Sequence, residues 1–205
     1  VKSLLEKELI VEEKKEKYRI NISDNQDIKR NVLNEEQKNV YNEVINSKGY
    51  NTFLLEGVTG SGKTEVYLKL VEYMIKNNKT SLVLVPEISL TMQIVRRFYE
   101  YFGRKVAIFH SALSEGEKYD EYLKILKGKV SVVVGTRSAI FTPLKDLGLI
   151  IVDECHSDTY KQDNTPRYNA LDIANYRGIY NSIPVIFGSA TPRLEERARA
   201  IKGVY

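Results

Sequence analysis

The sequence has almost no cysteine and no long apolar run. Its one cysteine, Cys155, excludes an internal disulfide and a zinc site built from several cysteines. No apolar segment approaches the length that crosses a membrane, and residues 1–20, rich in lysine and glutamate, are unlike a secretory signal. We expect a cytoplasmic protein with no membrane partner. There is no internal repeat and no low-complexity segment.

The chain also has little excess charge. Its 31 basic and 27 acidic residues leave +4 at neutral pH, a bias that is compatible with nucleic acid without requiring it. Hydrophobic residues form 42% of the 205 residues, enough for the core of one α/β domain plus a short attachment. The sequence starts at Val1 rather than at methionine, which is typical of a piece of a longer protein.

A glycine-rich segment carries the strongest functional signal. Residues 57–64 read GVTGSGKT and fit the phosphate-binding pattern G-x-x-x-x-G-K-[ST]. Glycines allow positive φ, the successive N–H groups form an anion nest, and the following helix adds its positive N-terminus. In this pattern Lys63 reaches the outer phosphates of a nucleotide and the Thr64 hydroxyl holds Mg²⁺. The predicted phosphate-binding residues are Gly57, Thr59, Gly60, Ser61, Gly62, Lys63 and Thr64.

The flanks of this segment favour a real nucleotide site over a chance match in a turn. An apolar strand precedes it at residues 52–56, and a helical pattern follows it to about Ile75. Strand, glycine loop and helix is the context that the motif requires.

Strands alternate with helices along the rest of the chain. Several strands are unbroken valine, isoleucine and leucine runs, as expected where both faces of a parallel sheet are buried. The predicted strands are 51–56, 81–85, 106–109, 130–134, 149–152 and 185–187. Asn34 with Gln37 has the spacing of a capping box and predicts a helix from there to about Ser47. The predicted fold is therefore α/β, a mostly parallel sheet with helices on both faces.

Two acids follow another buried strand. Asp153 and Glu154 come directly after the apolar residues 149–152, at the strand end where doubly wound sheets bind ligands. Asp153 is predicted to hold Mg²⁺ and Glu154 to orient the attacking water. His156 is predicted to couple this pair to its surroundings, the alternative being a structural histidine. Cys155 between them is interpreted as a small buried residue.

With these residues in place, the chain resembles the first RecA-like lobe of a superfamily 2 helicase and, more narrowly, of the bacterial replication-restart helicases. The likeness covers about Leu33 to Leu194. Its segments are LNEEQ (33–37), GVTGSGKTEVY (57–67), LVPEISLT (84–91), HS (110–111), VGTRSAIF (134–141), DECH (153–156), YKQ (160–162), PRY (166–168) and GSATP (188–192).

The resemblance implies a role for each matching residue. Gln37 would read the adenine of ATP, and the catalytic set would be Lys63, Asp153, Glu154 and His156. Ser189 and Thr191 would couple the acid pair to the rest of the motor. Single-stranded DNA would be held through its backbone or stacked on tyrosine by Pro86, Ser89, Thr91, Ser111, Thr136, Arg137, Tyr160 and Tyr168. The alternative for both tyrosines is ordinary packing.

The chain departs from the family at three positions, with Cys155, Asn169 and Leu171 where the family usually has glutamate, histidine and arginine. The resemblance further implies a second lobe with an arginine finger and a zinc-binding part, neither of which can be built from the residues after Thr191. We therefore expect weak ATP–Mg²⁺ binding and negligible hydrolysis by these residues alone. Residues 1–30 are predicted to end a preceding winged-helix-like domain, and 31–205 to form the lobe.

The implied parent is an ATP-driven helicase that translocates 3′-to-5′ on single-stranded DNA. Its implied partners are single-stranded and forked DNA, other primosome proteins and single-strand-binding protein. Three alternatives remain: another superfamily 2 motor acting on RNA or duplex DNA, a P-loop kinase, and a non-enzymatic, nucleotide-gated assembly platform. The acid pair argues against the kinase.

Overall fold

The computed structural model describes residues 31–58, 60–86 and 92–201. The predicted attachment at residues 1–30 lies outside them. The first part runs through helix α1 (Glu35–Asn46), strand β1 (Thr52–Glu56), helix α2 (Lys63–Lys76), strand β2 (Thr80–Leu84), helix α3 (Met92–Phe102) and strand β3 (Val106–Phe109).

The second part begins with helix α4 (Glu115–Leu126) and strand β4 (Val132–Gly135), followed by a 3₁₀ helix at Arg137–Phe141. After it come strand β5 (Leu147–Val152), the short strands β6 (Lys161–Gln162) and β7 (Tyr168–Asn169), helix α5 (Ala170–Asn181), strand β8 (Val185–Ser189) and helix α6 (Leu194–Ile201).

Six of the strands form one sheet in the order β1-β8-β5-β2-β4-β3, and every pair in it is parallel. This confirms the predicted α/β class, and the six strands match the predicted ones to within about two residues at each end. The antiparallel ribbon β6–β7 was not predicted, because two residues per strand are too short to show a period.

Apolar side chains fill both faces of this sheet. Alternate residues of one strand point to opposite faces, so Val83 packs in one core cluster and its neighbours Leu82 and Leu84 pack in the other. Helices α1, α2 and α3 cover the first face, and helices α4 and α5 cover the second. None of the described helices is long and apolar enough to span a bilayer.

Local signals set the start of the first two helices. The predicted capping box is present: Gln37 N donates to Asn34 Oδ1 at 2.8 Å, and Asn34 N donates to Gln37 Oε1 at 3.0 Å. Gly62, immediately before α2, has φ 85°, a left-handed conformation that glycine adopts without strain. A Cβ at Gly62 would lie 2.3 Å from Gln37 Nε2, so the loop and α1 meet at close range.

The edge strand β3 is protected by a buried acid on helix α4. Glu121 has no exposed surface and accepts a hydrogen bond from the backbone N–H of Ile108 at 3.2 Å. It also pairs with Lys124 one turn along the helix. The carboxylate therefore stabilises a backbone donor that the neighbouring strand does not use.

Candidate nucleotide site and nucleic-acid interface

The three functional loops meet at the carboxyl end of the sheet. Strands β1, β8 and β5 are neighbours, and they lead into the glycine loop, the Ser189 turn and the acid pair. Backbone bonds join the loops: Gly57 N donates to Ser189 O at 3.1 Å, and Cys155 N donates to Gly188 O at 2.9 Å. The parallel sheet thus assembles one site from segments far apart in sequence.

Lys63 lies between the glycine loop and the acid pair. Its Nζ donates to Gly57 O at 2.6 Å and lies 3.8 Å from Glu154 Oε1. Its side chain is largely buried, so the ammonium faces the loop rather than solvent. An ammonium at this position is suited to bind a phosphate held by the loop's N–H groups.

Gln37 contacts the loop directly. Besides its role in the capping box, its Nε2 donates to Ser61 O at 3.0 Å. A carboxamide has two N–H donors and two carbonyl lone pairs, so these contacts use half of its capacity. Gln37 is thus placed beside the loop, as an adenine-reading residue would have to be. Thr59 lies outside the described residues.

Asp153 is buried and held by two tyrosines. Tyr67 Oη donates to Asp153 Oδ1 at 2.9 Å, and Tyr160 Oη donates to the Asp153 carbonyl. Burial is the main cause that raises the pKa of the Asp153 carboxyl. Burial also raises the pKa of Tyr67 well above its usual range, so this phenol remains a donor.

Glycine is required where Tyr67 reaches the acid. A Cβ at Gly188 would lie 1.8 Å from Tyr67 Oη and 3.1 Å from Asp153 Oδ1. In the sequence, Tyr67 appeared only as the last residue of the matching segment 57–67, with no role assigned to it. No local pattern identifies its partner, which lies 86 residues further along the chain.

The predicted magnesium ligands supply suitable chemistry. A threonine hydroxyl and a carboxylate are hard oxygen donors, and Mg²⁺ in nucleotide sites usually binds one or two carboxylates plus substrate phosphates. Across the described ranges, no group of three or more His, Cys, Asp and Glu side chains is arranged to hold a metal. Thr64 and Asp153 therefore fit a site that a nucleotide completes.

Glu154, His156 and Ser189 form a continuous polar chain. Glu154 has φ 46°, a left-handed conformation that is rare outside glycine and clusters at functional sites. His156 Nδ1 lies 3.5 Å from Glu154 Oε2 and 2.8 Å from Ser189 Oγ. Ser189 Oγ accepts from Thr191 N at 3.1 Å. The residues predicted to couple are thus brought into contact.

A second link between these loops was missed in the sequence. Arg193 donates from Nε and Nη2 to the carbonyl of His156 at 3.1 and 2.7 Å, and its Nη2 pairs with Asp158. Cys155, next to His156, is buried, and burial raises the pKa of its thiol. The neutral thiol agrees with its interpretation as a packing residue.

The structure places the predicted DNA-contacting residues in different environments. Ser89 and Thr91 lie outside the described residues, and Ser111 is exposed beyond the end of β3. The predictions for Pro86 and Thr136 need correction. Both side chains are buried, with Thr136 only 2% exposed, so neither can contact a phosphate in this conformation.

Arg137 is held in place by backbone oxygens. Its guanidinium donates to Thr159 O at 3.1 Å and to Lys161 O, and lies 5.9 Å from the centre of the Tyr168 ring. The guanidinium therefore ties the 3₁₀ helix to the segment that follows the acid pair. Its central carbon lies over the Tyr168 ring.

The two predicted stacking tyrosines have different environments. Tyr160 is 1% exposed and its hydroxyl is bonded to Asp153 O, so the prediction that it stacks on bases is wrong and the packing alternative holds. Tyr168 is partly exposed and packs edge-to-face on Phe141, with ring centres 5.0 Å apart. Phe141 was not among the predicted site residues.

All three departures from the family have a visible structural role, and Cys155 is the buried packing residue described above. Asn169 caps helix α5, since its side chain accepts from Leu171 N at 3.0 Å. Leu171 packs, partly buried, against the second core cluster. Local capping and packing therefore occupy the places of the usual histidine and arginine.

Comparison with known proteins shows what this chain is similar to. A family model described as DEAD/DEAH box helicase matches residues 34–200. The replication restart protein PriA of Bacillus subtilis is 49% identical over 210 residues, which is 100% of this chain and 26% of that protein. PriA of Synechocystis is 52% identical over 160 residues, 78% of this chain and 19% of that protein. The chain thus spans about a quarter or less of these relatives.

Solved structures share the architecture. RecG, solved bound to a three-way DNA junction, superimposes with a TM-score of 0.63 at 27% identity over 84% of this chain and 23% of that one. The UvsW helicase of bacteriophage T4 superimposes with a TM-score of 0.57 at 21% identity over 88% of this chain and 58% of that one. The second likeness concerns the fold alone.

Proposed function

Because the chain belongs to the DEAD/DEAH box helicase family, we propose that it is the first RecA-like, ATP-binding lobe of a DNA helicase. The relatives named above are replication restart proteins, which supports a role at stalled replication forks in the bacterial cytoplasm. The proposed motor translocates 3′-to-5′ on single-stranded DNA. Its proposed partners are forked DNA, single-strand-binding protein and other primosome proteins.

One observation supports the proposal above all others: Lys63 and Glu154, from loops on non-adjacent strands, approach to 3.8 Å beside the buried Asp153. In the proposed mechanism the loop N–H groups and Lys63 bind and orient the phosphates. Thr64 and Asp153 would hold Mg²⁺, which supplies charge neutralisation on the phosphates. Glu154 orients and polarises the water that attacks the outer phosphate.

The polar chain from Glu154 to Ser189 is the proposed link from hydrolysis to DNA. His156 contacts both Glu154 and Ser189, so a change in the contacts of Glu154 would alter those of the turn after β8. Arg193 holds the carbonyl of the same histidine. A displacement at the acid pair would thereby be transmitted to the turn after β8 and to the start of α6.

The sharpest test uses the full-length protein in which this chain is proposed to lie. Glu154→Gln keeps the shape of the side chain and one acceptor oxygen, but it replaces the other oxygen with a donor and removes the basicity. We expect unchanged ATP affinity and a DNA-stimulated ATPase rate lowered about 10²–10⁴-fold. Nucleotide binding is measured by fluorescent-analogue titration and turnover by phosphate release.

The matched control is Glu43→Gln, an exposed glutamate on α1, which should leave both quantities unchanged. A non-enzymatic platform would keep its full function in Glu154→Gln. A motor acting on other nucleic acids would be stimulated by RNA or duplex DNA rather than by single strands, and comparing the three activators separates these possibilities.

A further inference from the structure

We infer that Phe141, backed by Tyr168, is a stacking platform for an unpaired base of single-stranded DNA. This inference deepens the proposed function and rests on it. Phe141 ends the 3₁₀ helix that follows β4, and the residue is 59% exposed. The Tyr168 ring meets it at an interplanar angle of 74°, so Tyr168 does not stack flat on Phe141 and the exposed part of the Phe141 ring remains accessible.

The platform is rigid, which lowers the entropic cost of binding. Ala139 and Ile140, directly before Phe141, have no exposed surface. Thr142 N and Oγ1 both donate to Ala139 O, and Arg177 from helix α5 donates to Ile140 O. The backbone is therefore held by hydrogen bonds both before and after Phe141, which carries the exposed ring.

Cations that could hold a phosphate chain lie on the segments that form the platform. Arg137 is fixed against the Tyr168 ring. Lys161 and Arg167 are exposed on the ribbon segment that carries Tyr168, and Asp163 is the one acid between them. Aromatic rings flanked by cations are how proteins hold single strands without reading sequence. A docking site for an acidic protein would not need an exposed aromatic face.

The position of Phe141 agrees with a DNA strand that passes beside the nucleotide site. The 3₁₀ helix follows the carboxyl end of β4, which is separated from β5 and its acid pair by β2 alone. With strands about 4.8 Å apart, this places the platform roughly 10 Å along the sheet edge from β5. A base stacked there would adjoin the segment that Arg137 joins to Thr159 and Lys161.

The chain contains no tryptophan, so Phe141→Trp introduces a single reporter at the platform. We expect its fluorescence to be quenched when the 205-residue chain binds an oligodeoxythymidylate, because a stacked base quenches indole. The matched control is Tyr180→Trp. Tyr180 is 80% exposed. Helix α5 begins two residues after Tyr168, and Tyr180 lies ten residues, or about 15 Å, from that end of the helix. We expect no quenching there.

Affinity gives a second, independent measurement by anisotropy of a labelled oligonucleotide at low salt. Phe141→Leu keeps apolar bulk but loses the π-face, and should weaken binding about 5- to 150-fold. Phe141→Tyr should retain affinity. An abasic oligonucleotide, which keeps the phosphates, should bind without quenching Phe141→Trp.

Four results would contradict the platform while leaving a DNA-binding lobe. They are binding without quenching of Phe141→Trp, equal affinity of Phe141→Leu, quenching by the abasic strand, and quenching by RNA alone. Failure of every variant and of the unaltered chain to bind any single strand would instead contradict the proposed DNA track, and the platform with it.

Discussion

Two buried tyrosines that donate hydrogen bonds to Asp153 show how a buried position determines what a tyrosine does. Tyr67 and Tyr160 are each 1% exposed, and each donates a hydrogen bond to Asp153, one to the carboxylate and one to the backbone carbonyl. Since the carboxylate oxygen bonded to Tyr67 is fixed, the rotation of the Asp153 side chain is restricted. Tyr67 thus acts as a positioning residue for the proposed magnesium ligand.

Tyr67→Phe tests this contact. Removing the hydroxyl leaves Asp153 Oδ1 without its donor, so we expect the free energy of unfolding to fall by about 1–3 kcal/mol. We also expect a higher Mg²⁺ concentration to be needed for half-maximal nucleotide binding. Urea denaturation measures the first quantity and a Mg²⁺ titration with a fluorescent nucleotide measures the second.

Tyr73→Phe is the matched control. Tyr73 lies on the same helix, six residues or about 9 Å further along, and packs its ring on Tyr41. The Mg²⁺ requirement should not change in this variant. If Tyr67→Phe lowered stability and left the Mg²⁺ requirement unchanged, Tyr67 would be a packing residue only.

Helix α4 and strand β3 depend on each other through Glu121. A strand at the edge of a sheet exposes backbone donors to solvent or to other chains. Here the carboxylate of Glu121 accepts from Ile108 N and pairs with Lys124 within the same helix. One side chain therefore fixes the helix against the last strand of the sheet.

Replacing Glu121 separates the hydrogen bond from the charge. Glu121→Ala removes both and should lower the free energy of unfolding by about 3–5 kcal/mol, the usual effect of breaking a buried pair. Glu121→Gln keeps an oxygen that accepts from Ile108 N, and should lower it less. Guanidinium denaturation of the two variants gives the difference, and equal losses would show that the backbone contact contributes nothing.

At the scale of the whole molecule, the described residues form one six-stranded sheet and a two-stranded ribbon. The glycine loop and the acid pair lie at the carboxyl end of that sheet. In the proposed motor a second lobe would face this end of the sheet and supply an arginine finger to the phosphates. The 205 residues thus provide one side of the proposed ATP site.

This arrangement predicts a large difference in rate. An arginine finger contributes about 10³–10⁵-fold to phosphoryl transfer, so the 205-residue chain should hydrolyse ATP at least about 10³-fold more slowly than the full-length protein with saturating single-stranded DNA. Phosphate release by both proteins under identical conditions checks this. If the 205-residue chain hydrolysed ATP in the presence of DNA at a rate comparable to that of the full-length protein, the proposal that a second lobe completes the ATP site would be contradicted.

Local sequence was sufficient for much of this molecule. The glycine loop, the capping box at Asn34 and the buried strands follow from backbone preferences and apolar periodicity, which act over a few residues. The strand positions were therefore predictable to within about two residues. The ribbon β6–β7 was not, because its pairing depends on how the intervening loop folds back.

Contacts across the sheet were decided by tertiary structure. Nothing near Tyr67 in sequence distinguishes a core tyrosine from one bonded to Asp153, and nothing near Thr136 or Tyr160 shows that they are buried. These outcomes depend on strand order and on which face each helix covers. The sequence alone determined an NTPase loop on a parallel α/β sheet. The tertiary structure decided which side chains reach that loop, because residues distant in sequence become neighbours only when the crossovers are complete.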